Sequence, residues 1–87
     1  MGDIKSRINE LVNDIKQERD ELRVKLHLAK LEASDEWQKL EAKVEKLEDK
    51  ARTLGSATAE AAHDIGAAAK LLGEEIRNGF TTIAKRL

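Results

Sequence analysis

Glu60 and His63 stand three residues apart in a stretch with helical composition, which is the Glu-x-x-His spacing of carboxylate-bridged di-metal bundles. That chemistry needs the motif twice, pointing inward, with two further glutamates. Here His63 falls on a polar flank, where it is expected to face Glu48 in solvent. The other histidine, His27, lies beside an apolar stripe and reads as an interface or surface residue rather than a ligand or general base. No Ser/His/Asp set comes with a pocket to hold it, and no glycine-rich loop joins a strand to a helix to cradle phosphate. With one Trp, one Phe and no Tyr there is almost no aromatic surface on which to stack a ligand, so Trp37 reads as a core anchor. The expectation is a chain without catalysis, cofactor or metal.

The elements that would position these residues follow from composition. The 87 residues contain no Pro and no Cys, and are rich in Ala, Glu, Lys and Leu. These are strong helix formers without the usual interruption, so the class is all-α and one domain, 1–87, is expected. Sixteen basic residues balance seventeen acidic ones, which argues against non-specific nucleic-acid binding. No apolar run approaches the ~20 residues needed to cross a bilayer, and "MGDIKSRINE" lacks the apolar core of a signal peptide. A bacterial-type cytoplasmic protein is the default. The absence of cysteine excludes disulfides and thiolate metal sites without fixing the compartment.

Apolar residues recur at spacings of three and four through Ile4, Ile8, Leu11 and Ile15 and, after one step of seven, through Leu22, Leu26, Ala29, Ala33, Trp37, Leu40, Val44, Leu47, Ala51 and Leu54. Two sub-series step by eleven, Ile4/Ile15/Leu26/Trp37 and Leu11/Leu22/Ala33/Val44, which implies nearly straight helices. Within this pattern "RVKLHLAKL" (23–31) alternates like a strand. It is a helix apolar on two faces: Leu22 and Leu26 continue the main stripe, while Val24, Leu28 and Leu31 form a second one on the opposite side.

"RTLGSATAE" marks a turn. Gly55 suits a left-handed position after a helix, Lys50 and Arg52 favour a helix C-terminus, and Ser56 or Thr58 can cap a new helix carrying Glu60 and Asp64 early. The chain is thus expected to form a long antiparallel, coiled-coil-like hairpin, helix 1 about 3–54, a turn at 55–56 and helix 2 about 57–87. Residues whose numbers add to about 110 then come level. Trp37 falls opposite Gly73, Leu40 opposite Ala69 or Lys70, Val44 opposite Gly66, Leu47 opposite Ala62, and conversely Ala33 opposite Ile76 and Ala29 near Phe80, so that large meets small. Leu26, Ile65, Leu72 and Phe80 complete this intra-hairpin core. Close packing would offset the roughly 1 kcal/mol of helix propensity that each of Gly66, Gly73 and Gly79 costs. Unlike charges also come level: Lys50 with Glu60, Lys46 with Asp64, Glu41 with Lys70 and Glu48 with His63. Two unbroken helices crossing antiparallel at residue 55 would make the same pairs between chains.

In the hairpin, helix 2 ends level with residue 23, leaving Ile4, Ile8, Leu11, Val12 and Ile15 uncovered. With Val24, Leu28 and Leu31 they would form an apolar surface that a monomer should not expose, so a homo-oligomer, a dimer or tetramer built as a helical bundle, is expected. The run "DELRVKLHLAKLEASDEWQKLEAKVEKLEDKA" resembles short uncharacterised bacterial coiled-coil proteins, which supports helices and implies no activity. The eleven-residue steps and "IGAAAKLLGEE" resemble exchangeable apolipoprotein and synuclein segments over about 57–87, which implies lipid-surface binding. However, Lys70, Arg77 and Lys85 occupy only one edge of that helix, an arrangement better suited to a protein partner than to a bilayer. The expected role is a scaffold or adaptor, the alternative a peripheral lipid- or granule-surface protein.

Overall fold

The computed structural model describes residues 3–30 and 35–87 and is all-α: α1 (Asp3–Ala29), α2 (Asp35–Gly55) and α3 (Ala59–Ala84), packed as a bundle of 44 × 19 × 17 Å. The single helix expected over 3–54 is therefore two. Lys30 has φ 62°, in the left-handed region, and its N–H donates to the carbonyl of His27 at 3.1 Å. A left-handed residue cannot continue a right-handed helix, so α1 ends there. Asp35 and Glu36 then sit in the first turn of α2, where carboxylates favour the positive end of the helix dipole. Spacings of three and four persist across this break, which is why periodicity alone does not reveal it. Leu31 and Ala33 lie outside the described residues.

At the second turn the left-handed glycine is absent. Gly55 is the last residue of α2 and its φ is not positive. The helix closes instead by tightening, with Ser56 N–H donating to Thr53 O at 3.2 Å and Ala57 N–H to Leu54 O at 3.3 Å. Of the two candidate caps, Thr58 serves: its backbone is extended and its Oγ1 accepts from the Ala61 N–H at 3.2 Å. Ser56 Oγ donates back to Thr53 O.

The chain runs up, down and up. Ile8, Val12, Ile15, Leu22 and Leu26 of α1 meet Trp37, Leu40, Val44, Leu47 and Leu54 of α2 and Ala69, Ile76, Phe80 and Ile83 of α3 in one buried cluster. Burying each Ile or Leu contributes about 1.5–3 kcal/mol before conformational entropy is subtracted. The intra-hairpin residues are thus interior, with Gly66 and Gly73 buried and Ile65 and Leu72 half-buried at the edge. Ile8, Val12 and Ile15, expected in a seam between chains, belong to the chain's own core. Once α1 folds back at Lys30, α2 and α3 reach the residues that a hairpin leaves uncovered.

The register between α2 and α3 also differs. Trp37 packs on Phe80, ring centroids 5.7 Å apart and tilted 33°, rather than opposite Gly73. Lys43 Nζ lies 3.5 Å from Glu75, and Arg86 Nη1 lies 2.8 Å from Glu36. The numbers of level residues add to about 118, a shift of eight residues or ~12 Å of helix rise. The ion pairs expected at Lys50–Glu60, Lys46–Asp64 and Glu41–Lys70 do not form; Glu41 pairs with Arg23 of α1. The glycines do receive bulky side chains, but from other partners. A Cβ built at Gly66 would lie 2.7 Å from Ile4 Cγ2 and one at Gly73 2.7 Å from Leu11 Cδ2, while one at Gly79 would overlap the end of Leu40.

Two outcomes follow from this geometry. In denaturant unfolding, charge reversals at Lys43 and Glu75 should couple by about 0.2–1 kcal/mol, whereas reversals at Lys46 and Asp64 should be additive. Lys30→Gly should raise stability by about 1 kcal/mol, because glycine adopts φ near 60° without the Cβ clash. An unchanged or lower unfolding midpoint would place the break elsewhere.

Candidate functional site

Because α1 and α3 both run upward, they touch in parallel: Ile4 lies over Gly66 and Leu11 over Gly73, seven residues on in each helix. A parallel pair brings equivalent positions of its two helices to a common cleft. Ile4, Arg7, Ile8 and Leu11 line one wall, and His63, Gly66, Ala67 and Lys70 the other, both at i, i+3, i+4, i+7. The groove encloses about 390 Å³. Its floor is apolar, formed by Ile4 (40% exposed), Ile8, Leu11, Gly66 and Ala67, and its charged members Arg7 and Lys70 are both basic. Further along the same helix pair the charge changes: Arg77 of α3 reaches Asp14 at 3.5 Å and Glu18 at 3.4 Å, tying α3 to α1.

A second apolar opening lies at the other end of α1, between α1 and α2, lined by Arg23, Val24, His27, Leu28, Trp37 and Glu41. Val24 is 58% and Leu28 77% exposed, so these two residues of the second stripe face outward. Leu31, the third member, lies outside the described residues. An Arg23–Glu41 ion pair spans the two helices here. Trp37 is buried against Phe80 and anchors the core.

The seven described residues of the eight expected at an interface therefore separate into three sets. Val12 and Ile15 are interior; Ile4, Ile8 and Leu11 floor the α1–α3 groove; Val24 and Leu28 are exposed elsewhere. His63 stands on the wall of the groove and does not face Glu48, which instead lies 3.5 Å from Lys16 Nζ. Among the described residues no group of three His, Cys, Asp or Glu could hold a metal ion, and no helix is long and apolar enough to cross a membrane. Arg7 and Ala67 escaped the sequence reading, and Lys70 was placed on the edge of α3 suited to a protein partner but paired with Glu41. Their signal was the shared i, i+3, i+4, i+7 spacing in 4–11 and 63–70, but it has meaning only if the two segments lie parallel, and a hairpin does not bring them together.

The division between core and surface on α1 can be checked directly. Leu26→Ala should cost about 2–5 kcal/mol in urea unfolding, whereas Leu28→Glu should stay within about 0.5 kcal/mol of the parent. No family model, curated protein or solved structure matches this chain.

Proposed function

We propose that the protein is a non-catalytic scaffold or adaptor that holds a helix of a partner in the α1–α3 groove, completing a four-helix layer. The observation that carries this reading is an apolar groove whose two walls repeat at helical spacing. A cleft of this form suits the anchors of an amphipathic helix, which recur at the same intervals. A fourth helix is also the natural completion of three, since it would cover the remaining apolar edge of an up-down-up arrangement. The helix could come from another protein or from a second copy.

Lipid-surface binding is the competing reading. Its difficulty is energetic: Ile15, Leu26, Leu47, Leu54 and Ile76 are fully buried in the interior, so inserting them in a bilayer requires opening the bundle.

The test is a nuclear magnetic resonance titration of the isotopically labelled chain with synthetic amphipathic helical peptides, run beside anionic vesicles. Peptides should perturb the amides of Ile4, Arg7, Gly66 and Ala67, and Ala67→Trp, which fills the groove, should weaken binding at least about tenfold without lowering helicity. Loss of bundle signals on vesicles with no response to any peptide would support the lipid reading and overturn this one.

A further inference from the structure

Resting on the reading of the groove as a helix site, we infer that its occupant is an acidic amphipathic helix of another protein, running antiparallel to α1 and α3. Two independent features of the groove converge on this. The first is charge. Arg7 and Lys70 stand on opposite walls with His63 beside them, and no carboxylate lines the opening. Glu10, Asp64 and Glu74 are exposed within a turn of these residues but outside the lining. Neither Arg7 nor Lys70 is held by an ion pair among the described residues, whereas Arg77, farther along, is engaged by Asp14 and Glu18. Glutamates flanking the apolar anchors of an incoming helix would meet unengaged cations on both sides of the floor.

The second feature is direction. Because α1 and α3 are parallel their dipoles point the same way: the N-terminus of α1 lies at the Ile4–Gly66 end of the groove, and that of α3 lies on the same side, about two turns beyond Gly66. A helix laid antiparallel brings its negative C-terminal end to that positive end. The side-chain argument thus sets the charge of the occupant and the dipole argument its direction.

A second copy of this chain fits less well. Its exposed apolar pair, Val24 and Leu28, lies where Arg23 is already paired with Glu41 and Asp20 with Arg19, so that face offers no surplus of carboxylates to the groove. Docking that face into the groove would leave Arg7 and Lys70 without the acidic flanks that their charge calls for.

The experiment uses the full chain and three synthetic helical peptides of ~18 residues with the same leucine anchors, flanked by Glu, Gln or Lys. By fluorescence anisotropy at low salt the Glu peptide should bind at least about tenfold more tightly than the Lys peptide, and the gap should shrink as salt is raised. The charge-reversed double variant Arg7→Glu, Lys70→Glu should prefer the Lys peptide. Should it fail to fold, Arg7→Gln, Lys70→Gln should abolish the preference. A nitroxide at the C-terminus of the Glu peptide should broaden the amides near Ile4 and Gly66, and one at its N-terminus those toward Arg77. Equal binding of all three peptides, or tighter binding of the Lys peptide, overturns the acidic occupant while leaving a helix site standing. The reverse broadening pattern overturns the direction. Failure of every peptide overturns the groove reading itself, as does displacement of a bound peptide by dodecanoate at equal affinity, which would make the site one for fatty anions. Concentration-dependent self-association abolished by the Gln double variant would instead assign the groove to a second copy and overturn the heterologous partner.

Discussion

The contact of α1 with α3 at Gly66 and Gly73 is the constraint on which the rest of the molecule depends. A Cβ at either position would come within 2.7 Å of Ile4 Cγ2 or Leu11 Cδ2, so any other residue there would have to push aside the side-chain ends that seat α1 on α3. With α1 seated there, Ile8, Val12 and Ile15 reach the interior and the third side of the core is closed. Two helices at this chain length bury one face each and are marginal alone; three enclose a common core. The helix-propensity cost of the glycines is thereby offset by burial in a helix that a simple hairpin would leave bare.

Electrostatics reinforce this arrangement without carrying it. Ion pairs link all three helix pairs: Lys16–Glu48 between α1 and α2, Lys43–Glu75 and Glu36–Arg86 between α2 and α3, and Arg77 with Asp14 and Glu18 between α1 and α3. All are partly exposed, and exposed pairs contribute little stability each. Their use is in discrimination. Sliding one helix by a turn would part these charges, and the Trp37–Phe80 packing would have to break with them.

The same geometry generates the groove. In an up-down-up bundle the first and third helices are parallel and have no short loop between them, so their shared edge is the place where a further helix can be accepted. The wall residues are there because α1 and α3 lie in step, with Ile4 level with Gly66 and Leu11 with Gly73. The groove is thus a by-product of topology, and it carries two cations, Arg7 and Lys70, that no ion pair among the described residues engages.

By itself, the sequence determined the helical class, the absence of strands among the described residues, the identity of most core positions and the second turn near Gly55, since each depends on local propensity or on the spacing of apolar residues. Leu26, Trp37, Val44, Leu47, Ile76 and Phe80 are interior because their spacing on one face leaves them no other choice. Tertiary structure alone decided which faces meet. The break at Lys30 has no glycine or proline to announce it, and the threes and fours run through it, so a helix of fifty residues and two shorter helices share one pattern. Complementary sizes and charges were also compatible with more than one register: Gly73 accepts Leu11 as readily as it would Trp37, and Glu41 finds Arg23 instead of Lys70. Pairwise complementarity is short-ranged and degenerate in a chain built from so few residue types. Only the requirement that all three helices bury their stripes at once selects the parallel α1–α3 pair, and with it the groove.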